Sequence, residues 1–294
     1  MERIVVGVDE SPAAAHALRW AVAEGRIRRW PVTATLCWTF AGQHGPGGPS
    51  RFRLDVDAED VDVALDEIVE KAVGPDHART VARRQVADFP VPGLLAQVSV
   101  GDLLVVGAGG VGTRRGLLMG SVSQDVVHRA PCPVAVVRAP EGSCDELPTT
   151  GGPVLVGIDG SAPARRALLW ALDEGRRRGA PVEVVHAWDL PTMSAYLPTE
   201  GYDVDRFGRD ARRVLASALD EVAGAAVGVT VHPHLVRGRA GDALLERAAS
   251  ADLVVVGSKG LGAVAGLVIG SVAHHVSHLV RRPVVLVPDI DAVL

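Results

Sequence analysis

Cysteine is scarce in this sequence: Cys37, Cys132 and Cys144 are the only three among 294 residues. They show no CxxC pairing and no metal-ligand spacing, and an odd number cannot close a full disulfide set, so the expected setting is a reducing cytoplasm. Cys132, held between Pro131 and Pro133, is expected to pack as a small apolar residue. Long hydrophobic runs are also missing; none approaches the roughly 20 apolar residues of a membrane span. Met1–Val6 enters a strand-like segment with no charged region and apolar stretch ahead of it, so no export is expected. There is no excess of positive charge: 30 Lys and Arg stand against 35 Asp and Glu, a net charge of −5. That balance argues against electrostatic capture of nucleic acid or an anionic membrane. The basic clusters Arg26–Arg29, Arg165–Arg166 and Arg176–Arg178 are expected on solvated helix faces.

What is present points to a packed α/β chain. Hydrophobic residues make up 48% and charged residues 22%, enough to bury a substantial core. Aromatics are only 4%, while Val, Ala and Leu dominate, as suits buried parallel strands. The length suggests about two domains. Internal repetition supports this. Val6-Gly7-Val8-Asp9-Glu10-Ser11 returns as Val156-Gly157-Ile158-Asp159-Gly160-Ser161, an offset of 150 residues. The same offset carries Trp20 to Trp170, Trp38 to Trp188, Gly107 to Gly257, Gly110 to Gly260 and Gly120-Ser121 to Gly270-Ser271. The expected organisation is therefore residues 1–140 and 153–294 as two copies of one domain, with a linker at 141–152.

Within the first copy, Arg3–Val8 reads as a buried strand. Ser11-Pro12 supplies an N-cap and a proline at the first helical position, and Gly25 falls near the end of that helix. Val32–Trp38 is the second strand, Val61–Ala72 a helix, Thr80–Val86 the third strand and Leu94–Val98 a short helix. Leu103–Val106 is the fourth strand, a helix spans about Ser121–Arg129, and Val134–Arg138 is the fifth strand. The second copy repeats this with strands at Val154–Ile158, Val182–Ala187, Thr230–Leu235, Leu253–Val256 and Val284–Val287. Alternating strand and helix predicts two tandem doubly wound α/β domains, each a five-stranded, mainly parallel sheet with helices on both faces. In the order 3-2-1-4-5, the ends of strands one and four flank the point where ligands bind.

Those ends carry the chemistry. After strand four comes Gly107-Ala108-Gly109-Gly110, nine residues, then Gly120-Ser121; the twin is Gly257-Ser258-Lys259-Gly260, nine residues, Gly270-Ser271. Glycines leave backbone N–H groups open as an anion-binding nest, and a helix N-terminus adds free donors and a favourable dipole. Ser121 and Ser271 can cap the helix or bond a phosphate oxygen. One such loop could be an ordinary turn; the complete spacing in two copies favours polyphosphate. Gly7 and Gly157, inside strands, mark a close approach of ligand or backbone. Asp9 and Asp159 can satisfy loop amides, but their place after strand one favours nucleotide or metal contact.

On Val6–Ser11, Val156–Ser161, the G-2x-G-9x-G-S spacing of both loops and Ala130-Pro131-Cys132-Pro133-Val134, the chain resembles a tandem universal stress protein of the ATP-binding subclass. The resemblance covers nearly all of both halves. It implies a stress-response regulatory protein with ATP and Mg in each domain. The phosphates would lie on Gly107, Gly110, Gly120 and Ser121, and on Gly257, Gly260, Gly270 and Ser271, with Ala108, Gly109, Val122, Ser258, Lys259 and Val272 also in the nucleotide site. Asp9 and Asp159 would stand near the nucleotide and reach Mg indirectly, through the phosphates. Cys37 and Ala187 would face the adenine. Pairing through the last strands is also implied, joining the halves through Val134–Arg138 and Val284–Val287, and so is a homo-oligomer, a dimer, working with a regulatory protein partner. Domain 1 departs from the pattern in lacking a basic residue where domain 2 has Lys259; only Arg114 or Arg115 could compensate. It also has Glu10 in place of Gly160. Tighter binding by domain 2 is expected.

Other motifs are weaker. Gly107–Gly112 fits GxGxxG but follows strand four, and Lys259 breaks the pattern in the twin; no GxxxxGK[ST] occurs. His274 and His278 lie one turn apart without a third placed ligand, and are expected to interact with the helix C-terminus. No kinase-like catalytic loop or clear general base accompanies the phosphate loops. A slow ATPase or self-phosphorylating enzyme, and a nucleotide-free scaffold, stand as alternatives. The loops Ala41–Ser50 and Leu190–Tyr202 differ between the copies and could carry partner contacts.

Overall fold

A computed structural model describes residues 2–39, 58–109, 119–139, 151–190, 204–261 and 269–289. Gly110, Arg114, Arg115, residues 141–150 of the expected linker, Cys144, Ala41–Ser50 and most of Leu190–Tyr202 lie outside the described residues. The chain divides into two compact units, Met1–Thr150 with Pro283–Leu294, and Gly151–Arg282.

In the first unit, β1 (Ile4–Gly7), β2 (Val32–Trp38), β3 (Val81–Ala87), β4 (Leu103–Gly107) and β5 (Val134–Val137) alternate with α1 (Pro12–Arg28), α2 (Ala58–Ala78), α3 (Pro90–Leu95) and α4 (Ser121–Arg129). The strands run parallel in the order β3-β2-β1-β4-β5. The last strand of the chain, β10 (Val284–Val287), lies antiparallel against β5, with Val285 opposite Ala135. The edge joining of the two fifth strands is thus present.

The second unit repeats the pattern with β6 (Val154–Ile158), β7 (Val182–Trp188), β8 (Val231–Arg237) and β9 (Leu253–Gly257), and with α5 (Ala162–Arg178), α6 (Val204–Glu221), α7 (Ala240–Ala248) and α8 (Ser271–Leu279). Its strands are parallel in the order β9-β6-β7-β8, the same 4-1-2-3 sequence of neighbours. Pro233 sits in β8, an edge strand, where a missing N–H leaves no partner unsatisfied. The doubly wound α/β reading holds, and it brings the ends of β1 and β4, and of β6 and β9, side by side.

The same local chemistry sets both first helices. Ser11 Oγ accepts from Ala14 N–H at 3.1 Å and Ser161 Oγ from Ala164 N–H at 3.3 Å, each followed by a proline in the first turn. Gly25 falls near the end as expected: α1 continues to Arg28, and Trp30 N–H donates back to Gly25 O at 3.0 Å. Closure needs a left-handed residue, which is Gly179 (φ 62°) in the second copy but Arg29 (φ 56°) in the first.

Two of the three arginine clusters are not wholly on solvated faces, contrary to the expectation. Arg28 and Arg178 have buried side chains that pair with the buried Glu24 and Glu174 one turn earlier. In each copy the pair lies on the apolar side of the helix, a position that a count of charges along the chain does not reveal. Arg26, Arg165, Arg176 and Arg177 are exposed as expected.

Candidate functional site

The glycine loop of the second unit starts where β9 leaves the sheet. At Gly257 a side chain would meet the backbone of the first turn of α5, 2.9 Å from Pro163 C and 3.1 Å from Ala164 N. Ser258 is buried, and its carbonyl accepts from Gly270 N–H at 2.8 Å, tying the start of the loop to its end. At Gly260 a Cβ would stand 2.4 Å from Asp159 Oδ2, so a side chain there would have to displace that carboxylate. Asp159 clasps this loop: Oδ1 accepts from Ser161 N–H at 2.9 Å and Oδ2 from Leu261 N–H at 2.8 Å. The aspartate therefore fulfils, in this structure, the amide-satisfying role that the sequence weighed against ligand contact.

Gly270 is the N-cap of α8, and no side chain caps that helix. Ser271 is its first helical residue and exposed; the expected cap is supplied by glycine backbone instead. The first N–H groups of an α-helix have no intrahelical acceptor, so those of Ser271, Val272 and Ala273 form the positive end of the site.

A single pocket gathers Gly157, Asp159, Ala187, Gly257, Lys259, Gly260, Gly270, Ser271 and Val272. Of the second-copy residues expected in the site, only Ser258 stays out of the lining. Sequence reasoning missed the apolar wall: Val185 on β7, and Ala240 and Leu244 on α7. A signal existed, because the helix after strand three starts with the residues that follow Arg237-Gly238, earlier than the apolar run suggests. Gly157 is also explained from this side, since a Cβ there would be 2.8 Å from Leu244 Cδ1. The close approach it permits is first of all that of a leucine.

The first unit builds the same frame. A Cβ on Gly107 would lie 2.7 Å from Ala13 C, and one on Gly7 2.8 Å from Leu94 Cδ1. Ala108 is buried; its N–H donates to Val137 O at 2.7 Å and its carbonyl accepts from Gly120 N–H at 2.6 Å. Asp9 Oδ1 accepts from Ser11 N–H at 2.9 Å, and Ser11 Oγ lies 3.5 Å from the Gly109 carbonyl. Gly120 is the uncapped N-cap of α4, Ser121 and Val122 open the helix, and Ser123 Oγ donates to Gly107 O at 2.6 Å. Cys37, half-buried on β2, has Sγ 3.8 Å from Pro90 O; burial, then the nearby Asp88 charge, pushes its thiol up to about 11. Cys132 is fully buried and, chiefly through desolvation, is pushed up to about 12, in keeping with an apolar packing role.

Among the described residues no cluster of three or more metal-ligating side chains occurs. His274 and His278 stack with ring centroids 4.2 Å apart, and His275 Nε2 lies 3.5 Å from Asp242 Oδ1. Among the described residues no helix is long and apolar enough to cross a membrane.

Fold and site together define a duplicated, doubly wound α/β protein whose glycine loops sit at the switch point of each sheet. The model of the universal stress protein family matches residues 1–138 and again 152–288. The chain is 35% identical over 288 residues to a universal stress protein of Mycobacterium tuberculosis (strain H37Rv), with 96% of this chain and 95% of that protein covered. It is 30% identical over 292 residues to one of Mycolicibacterium smegmatis, with 97% and 96% covered. A solved universal stress protein structure from Archaeoglobus fulgidus matches at a TM-score of 0.62 and 21% identity, covering 97% of this chain and 98% of that one. This chain belongs to the universal stress protein family.

Proposed function

We propose that this is an ATP-binding regulatory protein of the stress response, with one nucleotide site per copy. The observation that carries the reading is the clasped glycine loop of the second unit, where Gly260, uncapped α8 and Lys259 converge on a pocket with an apolar wall. Backbone donors and an ammonium suit polyphosphate, and Val185, Ala187 and Leu244 suit a base. Mg²⁺ would neutralise phosphate charge; with both Asp159 oxygens engaged by backbone N–H groups, the carboxylate would act on the ion through the phosphates. The protein works in the cytoplasm as a homodimer whose nucleotide state is read by a protein partner.

Denaturing the purified chain and identifying the released small molecules tests this, together with direct titration by Mg-ATP. Bound or titratable ATP is expected; absence of both would leave only a scaffold role. Incubation with γ-labelled ATP then separates a regulator, which returns ATP intact, from a slow ATPase or a self-phosphorylating enzyme.

A further inference from the structure

Along β2, Thr33, Thr35 and Cys37 alternate onto one face of the sheet, and Cys37 on that face meets α3 at Pro90 and Gly93. Thr35 pairs in register with Gly7, as Val185 pairs with Gly157 in the second unit. Leu94 stands over Gly7 just as Leu244 stands over Gly157. Val185, Gly157 and Leu244 all line the pocket of the second unit, and Thr35 takes the register position of Val185 in the first. Thr35 is 1% exposed and, among the described residues, its Oγ1 has no hydrogen-bond partner. A hydroxyl buried without a partner is costly, and a polar atom of a ligand removes the cost. The second copy avoids the matter with valine and places Ala187 where the first has the Cys37 thiol.

Resting on the nucleotide reading, we propose that the first site selects its nucleotide by base, through a hydrogen bond between Thr35 Oγ1 and the base edge. The second site, floored by Val185 and Ala187, binds without that discrimination. Thr35 acts as a specificity residue: a base whose edge cannot meet the hydroxyl leaves it buried and unpaired, so that ligand is disfavoured.

The test uses the full chain in two backgrounds, Gly260→Leu to read the first site and Gly110→Leu to read the second. Equilibrium dialysis with the Mg salts of ATP, GTP, CTP and UTP gives the four Kd values for each. The first site is expected to spread them by at least about tenfold and the second by less than about threefold. Thr35→Val should weaken the preferred ligand about three- to tenfold and flatten the spread. Thr35→Ser should keep the spread, and Val185→Thr should create one at the second site. Without nucleotide, Thr35→Val should melt at the same or a higher temperature, because an unpaired buried hydroxyl is gone. An unchanged spread in Thr35→Val, or a lowered melting temperature showing that the hydroxyl serves the fold or a bridging water, overturns the proposal while leaving the nucleotide reading intact. Loss of nucleotide binding at both sites of the unmodified chain overturns both.

Discussion

After the strand-one aspartate the two copies part. Asp159 is followed by Gly160 at φ 87°, and its carboxylate reaches across to Leu261 of the glycine loop. Asp9 is followed by Glu10, which brings a second carboxylate where the second copy has a glycine. Elsewhere the frame is nearly superposable in register: the glycine that ends strand four lets the first-helix backbone approach closely in both, and a leucine of the short helix covers the strand-one glycine in both. The comparison teaches that the backbone frame and the chemistry of the lining are separable. One offset of 150 residues preserves the former, while charge and polarity differ at Glu10 and Gly160, Gly109 and Lys259, Thr35 and Val185.

The strongest challenge to the shared frame is to break it in one copy. Glu174→Ala leaves the buried Arg178 guanidinium without its ion partner and should cost about 3–5 kcal/mol, read as a lowered urea midpoint for the second unit. Glu24→Ala should act alike on the first unit, with Arg28 partly retained by its stacking 4.9 Å over Trp30. Next in size is the second site itself. Gly260→Leu, forced against Asp159 Oδ2, should lower ATP affinity there by about a hundredfold, roughly 2.7 kcal/mol, while the first site titrates unchanged. The charge difference is smaller: Lys259→Ala should weaken the second site about tenfold and reduce its salt dependence, and Gly109→Lys should strengthen the first. Smallest is the helix end. Arg29→Gly should stabilise the first unit by about 1 kcal/mol, since a left-handed backbone is unfavourable for a residue with a Cβ; equal melting temperatures would contradict it.

Much of this was legible in the sequence because it rests on local rules repeated twice. Short Val-rich runs gave the strands, and β2, β6 and β10 coincide with the segments read as Val32–Trp38, Val154–Ile158 and Val284–Val287 to within a residue. The Ser11-Pro12 cap and the glycine spacing needed no tertiary information. What was not legible depends on neighbours distant in the chain. That Arg28 and Arg178 turn inward follows from buried glutamates on the same helix face, where polarity alone suggests solvent. That α3 starts at Pro90 and not Leu94 follows from a proline favoured in the first turn, ahead of the apolar run. That Ser121 and Ser271 open their helices and do not cap them follows from Gly120 and Gly270 taking the extended cap conformation. Thr35 reads as one more β-branched strand residue until its face, and the lack of a partner for its hydroxyl among the described residues, are known.

The glycine loops are the centre of the account, and isothermal titration of the full chain with Mg-ATP tests them most directly. Two binding events of unequal affinity are expected, the tighter removed by Gly260→Leu and the weaker by Gly110→Leu. A single event, two equal ones, or a greater loss from Gly110→Leu would contradict it.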